Sequence, residues 1–444
     1  MSSKPERKED LKIAVIGTGY VGLVTAAGLA ELGHRVVGAD KDGEKIGRLA
    51  SGVVPIYEPG LNELLAAHVK RSRLSFRADL HAVIQEADVI FVCVGTPQHD
   101  DGSADMSQIE EVSRLIAENL NRYKLVVEKS TVPVKTSPWI KRTIGLYKKT
   151  DTPFDIASNP EFLREGSAVS DFLNPDRIIV GVESDRARDI LCGIYSRFQD
   201  RLVVTNIDTA ELIKHASNSF LAMKISYINL ISDICEKTDA NVEQVAEGMG
   251  LDPRIGNRFL KAGIGYGGSC FPKDIKALVR IGEELGVDMS LLKEADRINL
   301  DRVRVVLEKV KKALWILKDK QIAVLGLAFK PETDDIREAP SISVIRELLS
   351  DGARLRLYDP QAAENMKVLF PPEPGRLDYF DSPYPAAEGA NALLLLTEWE
   401  EFARLDLAKL KETMTNPIIV DGRNVFSPAA LRELGFEYYS IGRK

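Results

Sequence analysis

The stretch KIAVIGTGYVGLVTAAGLAELGHRVVGADKD, Lys12 to Asp42, leaves the chain little freedom of fold. An apolar, β-branched run reaches Gly17, Gly19 and Gly22, passes at once into a helical pattern, and is followed by a second β-branched run that ends at Asp40. In such a strand-turn-helix the first glycine permits the tight turn. The second lets backbone approach a pyrophosphate, and the third lets the helix lie close on the strand. The helix start then presents its free N–H groups to phosphate. Asp40 follows Gly22 by 18 residues, where a carboxylate accepts from ribose hydroxyls and repels a 2′-phosphate. The pattern predicts a dinucleotide-binding βαβ unit and favours NAD over NADP, with Lys41 and Lys45 nearby pulling the other way.

Around this unit, KIAVIG, HRVVGAD, ADVIFVCVG, KLVVEKS, FDIASN and DRIIVGV alternate with amphipathic segments, which predicts a parallel, doubly wound sheet. From about Asn206 the strand signal stops. TAELIKHASNSFLAMKISYINLISDICEKT contains neither Gly nor Pro, and as one helix it would run about 45 Å, long enough to bridge domains or pair with another subunit. A second α/β pattern begins at KQIAVLGLAF and continues through ARLRLYDP, NALLLLTEW and NPIIVDGRN, without a second GxGxxG. The predicted architecture is therefore α/β: two Rossmann-like doubly wound domains, 1–205 and 319–444, joined by a helical region, 206–318, that contains the long helix.

Composition narrows the class. Hydrophobic residues at 44% and charged residues at 28% describe a globular protein. A net charge of -7 argues against a long polyanionic partner. The opening MSSKPERKED has no apolar signal core, and the longest aliphatic cluster, Ala392 to Leu396, is too short to span a bilayer. A cytoplasmic enzyme with no membrane or nucleic-acid partner is the expectation. The four cysteines, Cys93, Cys192, Cys235 and Cys270, form no CxxC pair, so neither a metal site nor a disulfide framework is expected.

Cys93, Cys192 and Cys235 sit in apolar contexts and read as packing. Cys270 differs. In GIGYGGSCFPKD it follows four glycines and precedes a helix start, with Pro272 suited to the first helical position and Lys273 close by. A helix N-terminus and a cation lower a thiol pKa. On residue types alone a nucleophile and a buried structural thiol both stay open, and the glycines read as clearance for a substrate ring. GxxxxGK[ST] is absent, as is any Tyr-x-x-x-Lys, which removes P-loop and short-chain reductase chemistry. Lys214 and Asn218 are neighbours on one helical face, with Glu211 one turn earlier. Such a trio is commonly a solvated stripe, but its apolar surroundings suggest burial, and a buried Lys and Asn could donate to a developing oxyanion. His215, turned about 100° away, reads as packing or surface.

Several segments together resemble the nucleotide-sugar 6-dehydrogenase (UDP-glucose/GDP-mannose dehydrogenase) family. They are KIAVIGTGYVGL, VGTP, EKSTVPV, SNPEFLREGSAVSDFLNPDRIIVG, ELIKHASNSFLAMKIS, DPRIGNRFLKAGIGYGGSCFPKD, LGLAFKPETDDIRE and VDGRNV, spread in order along nearly the whole chain. The resemblance implies NAD-dependent, four-electron oxidation of a sugar C6 from alcohol to carboxylate. UDP-glucose is the indicated substrate, with GDP-mannose or a UDP-N-acetyl hexosamine as alternatives.

It further implies that Cys270 captures the aldehyde covalently and that Lys214 and Asn218 stabilise the C6 oxygen. Asp274 would lie near the water and proton traffic, and Thr131 and Glu161 would position water and assist proton transfer. The implied cofactor residues are Gly17, Gly19, Tyr20, Val21, Gly22, Asp40, Lys45, Thr96, Thr131, Glu165 and Arg337. For the sugar nucleotide they are Glu161, Phe162, Leu163, Glu165, Lys214, Asn218, Arg254, Lys261, Tyr266, Gly267, Lys330 and Arg423. The cations suit a diphosphate. Arg254 is implied to come from a neighbouring subunit, and a homodimer paired through the long helix is expected. The PPEPGRLDYFDSPYP stretch reads as surface loop and the first ten residues as tail.

Overall fold

The computed structural model describes residues 11–99 and 102–444, so the expected N-terminal tail lies outside the described residues. The chain forms two compact units, one ending at Ala216 and the other comprising Ser217–Lys444.

The first unit is built on an eight-stranded sheet of order β3-β2-β1-β4-β5-β6-β7-β8. The strands are β1 (Lys12–Ile16), β2 (Arg35–Ala39), β3 (Leu74–Arg77), β4 (Val89–Val92), β5 (Lys124–Glu128), β6 (Phe154–Ser158), β7 (Ile178–Val182) and β8 (Leu202–Thr205). The runs at β1, β4 and β5 are buried along nearly their whole length because helices cover both faces of the sheet, and two buried clusters, one on each face, form its core. Neighbours are parallel except β6 and β7, which pair antiparallel through Ala157–Val182 and Ser158–Gly181. A parallel return needs a crossover spanning the sheet. The segment between them holds only a six-residue helix, Ala168–Leu173, and the chain turns back along the same edge.

The second unit has a fully parallel six-stranded sheet of order β11-β10-β9-β12-β13-β14. Its strands are β9 (Gln321–Leu325), β10 (Arg354–Tyr358), β11 (Leu377–Tyr379), β12 (Ala392–Leu395), β13 (Ile418–Asp421) and β14 (Glu437–Tyr439). This is a complete Rossmann order rather than four strands. The sequence pattern did not reveal β3, β8, β11 or β14. All are edge strands of three or four residues with at most one buried residue each, so that even the apolar LVVT of β8 is too short to stand out. The stretch read as surface loop therefore carries a strand, since Leu377 is buried and pairs with Leu355.

The long helix runs unbroken over Ile207–Lys237. Helices Val242–Gly250, Phe271–Glu284 and Ser290–Leu314 follow, with no strand among the described residues between β8 and β9. Val242, Val306, Val310 and Leu314 share one hydrophobic core with β9, β12 and β13. No helix among the described residues is long and apolar enough to cross a membrane.

Candidate active site

In the first unit the chain order reverses between β2-β1 and β4, where the carboxyl edge of a doubly wound sheet opens into a crevice. The fingerprint glycines stand there with different duties. A Cβ on Gly22 would lie 1.8 Å from Gly17 O, so Gly22 is demanded by the close approach of helix to strand, while one on Gly19 would meet nothing within 4 Å. Gly19 is the N-cap of helix Tyr20–Glu31 and gives it no side-chain cap. The middle glycine thus faces open space beside first-turn N–H groups, the cradle a pyrophosphate needs.

Asp40 accepts from Thr18 N–H at 2.9 Å and from Lys45 Nζ at 2.6 Å. Burial acts to raise its pKa, but hydrogen bonds from Lys45, Thr18 and Asp42 outweigh it and hold the carboxyl below the usual range. Lys45 is therefore committed to Asp40. An open glycine, an uncapped helix start and an ionised carboxylate at the ribose position fit NAD. Val21 packs against the unit's core, while Tyr20 turns its phenol to buried Glu58.

The loops after β4, β5 and β6 bring further residues to this edge. Thr96 Oγ1 donates to Thr131 O at 2.9 Å, joining the turns after β4 and β5. After β6, Glu161 accepts from Lys214 Nζ at 2.7 Å and from Leu163 N–H at 2.6 Å, with Glu161 5% and Lys214 3% exposed. Burial would raise the Glu161 pKa, but the Lys214 charge and hydrogen bond, the Leu163 N–H and the more distant Lys129 charge bring it below the ordinary value. Phe162 lies near two cations, its ring centroid 4.0 Å from the Arg177 guanidinium and 5.4 Å from Lys214 Nζ. Glu165 is near enough to Tyr20 for its charge to act on the phenol.

The helical face carrying Glu211 and Lys214 is buried rather than a solvated stripe. Glu211 accepts from Lys135 N–H at 2.7 Å and from Ser137 Oγ at 2.8 Å, and so holds the start of helix Thr136–Tyr147. His215 is also buried, not surface, with Nε2 2.8 Å from Val132 O. The two residues flank the Thr131 loop and fix its path.

Two more buried groups beneath this edge escaped the sequence reading. Burial pushes the Glu128 carboxyl up to about 8 and Lys129 down to about 8. Lys129 Nζ donates to Asn159 Oδ1 at 3.1 Å, and Tyr195 donates to the same oxygen at 2.6 Å. Their signal, EKS after a β-strand, is visible in the sequence, but nothing local announces burial.

The second unit positions Cys270 as N-cap of the 14-residue helix Phe271–Glu284, so Pro272 takes the second helical position instead of the first. Ser269 Oγ lies 3.6 Å from the thiol sulfur. One turn into the helix, Asp274 is fully buried and accepts from Asn218 Nδ2 at 2.6 Å. Its other oxygen, Oδ1, has only the distant Lys273 Nζ at 3.8 Å. A half-satisfied buried carboxylate one turn behind a half-exposed thiol is a place where a proton or a water can be held.

The glycines before Cys270 prove to be spent on the chain itself. A Cβ on Gly267 would lie 2.3 Å from Glu338 O, and one on Gly268, with φ +83°, would lie 2.7 Å from the Phe329 ring. The clearance they supply is to backbone and aromatic neighbours, which corrects the reading of a gap left for a substrate ring. Gly268 N–H donates to Arg337 O at 2.8 Å. Arg337 itself pairs with Asp335 at 2.6 Å.

Arg423 braces the same loop. Its guanidinium donates to Gly265 O at 2.8 Å, Leu396 O at 2.9 Å and Phe329 O at 3.0 Å. Tyr266 is buried edge-on to Phe271, at a centroid distance of 5.7 Å. Lys330 lies by the Phe329 ring, and Lys261 is exposed. Arg254 is 88% exposed and engaged with Asp252 at 2.6 Å, outside the buried cluster around Asp274.

Comparison with known proteins agrees across the whole chain. Residues 11–199, 208–301 and 323–428 match the NAD binding, central and UDP binding domains of the UDP-glucose/GDP-mannose dehydrogenase family. A UDP-glucose 6-dehydrogenase of Rhizobium meliloti is 47% identical over 442 residues, covering 98% of this chain and all of its own. The UDP-glucose 6-dehydrogenase TuaD of Bacillus subtilis is 43% identical, covering 97% of this chain and 93% of its own. A UDP-glucose dehydrogenase from the hyperthermophilic archaeon Pyrobaculum islandicum superposes over the full length of both chains, with a TM-score of 0.92 at 37% identity. From the dinucleotide cradle to the cysteine-capped helix, the chain belongs to the UDP-glucose/GDP-mannose dehydrogenase family.

Proposed function

We propose that this protein is an NAD-dependent UDP-glucose 6-dehydrogenase, converting UDP-glucose and water to UDP-glucuronate with reduction of two NAD+. The observation that carries the reading is the half-exposed thiol of Cys270 at a helix start, backed by the buried Asn218–Asp274 pair. A one-step alcohol dehydrogenase has no use for such a group. NAD, when bound, accepts hydride in each of the two oxidations.

The chain's own residues handle the carbon and the protons. Cys270 sulfur adds to the C6 aldehyde as a thiohemiacetal, which keeps the aldehyde from escaping. Loss of a second hydride gives a thioester, and water cleaves it to the acid and the free thiol. Lys214 and Asn218 donate to the C6 oxygen as negative charge develops. Asp274, Thr131 and Glu161 hold water and pass protons. The loop of Phe162, Leu163 and Glu165 receives the sugar nucleotide, with Lys261, Tyr266, Gly267, Lys330, Arg423 and Arg254, the last from a second copy.

Residues 1–205 serve the cofactor, 206–318 the chemistry and 319–444 the nucleotide. Homodimerisation through the long helix is supported by its exposed apolar stripe of Leu212, Phe220, Tyr227, Leu230 and Ile234. Four widely spaced cysteines with no CxxC pair suit a reducing compartment, the cytoplasm.

The test is to incubate purified protein with NAD+ and a panel of nucleotide sugars, counting NADH against acid formed. Two NADH per uronic acid with UDP-glucose is expected, whereas preference for GDP-mannose or a UDP-N-acetyl hexosamine would move the assignment within the family. Turnover with no nucleotide sugar would overturn it. Cys270→Ala should bind NADH normally and release no acid; undiminished acid release would remove the covalent step.

A further inference from the structure

A buried carboxylate outside the proposed chemistry links the cofactor helix to the Glu161–Glu165 loop. Glu58 is 5% exposed and lies in PIYEPG, between two helices of the first unit. An isolated buried carboxylate is costly and persists only where donors satisfy it. Glu58 has three, drawn from two distant segments. Tyr20 Oη donates to Oε2, across 38 residues of sequence. Gly166 N–H donates to Oε2 at 2.6 Å and Ala168 N–H to Oε1 at 2.7 Å, across 108 and 110 residues.

Tyr20 is the first residue of the helix whose uncapped start faces the cofactor cradle. Gly166 and Ala168 end the loop that carries Glu161, Phe162, Leu163 and Glu165. The other end of that loop is fixed by the Lys214–Glu161 pair. A second contact keeps the join tight: a Cβ on Gly28 would fall 2.2 Å from the Phe172 ring, so helix Ala168–Leu173 lies directly on the cofactor helix.

We propose that Glu58 is a positioning residue that couples dinucleotide occupancy at the Tyr20 helix start to the geometry of the Glu161–Glu165 loop. A change in position or stiffness at Tyr20 reaches the Gly166 and Ala168 amides through one carboxylate, with no side chain between. This inference rests on the reading of that loop as the sugar-nucleotide loop.

The experiment is calorimetric titration of UDP-glucose into the full-length protein, with and without saturating NADH, for wild type, Glu58→Gln and Tyr20→Phe. Wild type is expected to show an NADH-dependent change in UDP-glucose affinity of about 10-fold, within the ordinary range of coupling between sites. Both variants should reduce that ratio to less than about 2-fold, because each breaks the same link. Tyr20→Phe keeps both backbone amides on Glu58, so it tests the link even if Glu58→Gln does not fold. A folded variant that retains the wild-type ratio, or a wild type without any ratio, overturns the coupling. Failure of UDP-glucose to bind wild type at all would instead overturn the functional reading beneath it.

Discussion

The Lys214–Glu161 pair lends itself to a quantitative test of how the first unit holds its charge. In Lys214→Met the Glu161 carboxylate keeps the Leu163 N–H but loses a cation 2.7 Å away, at a site only 5% exposed. Removing one partner of a buried pair costs about 3–5 kcal/mol, most of it from the charge left behind. At about 2–4 °C per kcal/mol for a unit of this size, the first transition should melt about 6–20 °C lower. Because the penalty is stranded charge, adding Glu161→Gln to Lys214→Met should recover most of the loss even though it deletes another group.

The pH dependence has a defined sign. The folded Glu161 pKa lies below its ordinary value, so its stabilisation is present above about pH 4.3 and is lost as pH falls through the folded pKa. The gap between wild type and Lys214→Met should therefore be full at neutral pH and narrow in acid. Differential scanning calorimetry of wild type, both single variants and the double variant, across a pH series, supplies the four corners of the cycle. Equal melting of Lys214→Met and the double variant, or a gap that does not narrow in acid, would refute the argument.

Other expectations follow from particular contacts. Gly22→Ala puts a Cβ 1.8 Å from Gly17 O, and should abolish NADH binding by fluorescence titration with a loss of stability of at least about 1–3 kcal/mol. For Glu128, burial raises the folded pKa to about 8, so wild type should lose stability as pH rises from the unfolded value through about 8. Glu128→Gln removes that titration, so its melting temperature relative to wild type should rise as pH climbs towards about 8 and level off above it; a constant difference from about pH 5 to 8 would contradict it. Arg423→Lys replaces a fork that donates to three carbonyls with a single ammonium. Limited proteolysis should cut the Gly263–Cys270 loop faster in that variant, and an unchanged rate would deny Arg423 its bracing role.

What could be read from the residues alone divides along a physical line. Features written in adjacent residues were legible: the βαβ start with Asp40, the unbroken helix over Ile207–Lys237, and the cysteine ahead of a helix. Short edge strands were not, because LSFR and LDY gain their strand character from a neighbour rather than from a run of their own. The antiparallel β6–β7 pairing was hidden for a similar reason, since it depends on how little helix the connection contains.

At the candidate site, residue types suggested donors and a thiol, but the roles of Glu58, Glu211 and Asn159 depend on partners 20 to 110 residues away. The glycines before Cys270 show the converse error. Their spacing looked like room for a ligand, and only the positions of Glu338 and Phe329 reveal that the chain itself fills it.

The continuity of the long helix also bears on how such a chain can change length. Lys214 and Asn218 stand four residues apart with no loop between them. Each inserted or deleted residue there would rotate one side chain about 100° relative to the other along the helix. Length variation can accumulate in the turns around β11 or at the sheet edges. Between these two residues a single-codon insertion or deletion carries one of them off the helical face they share.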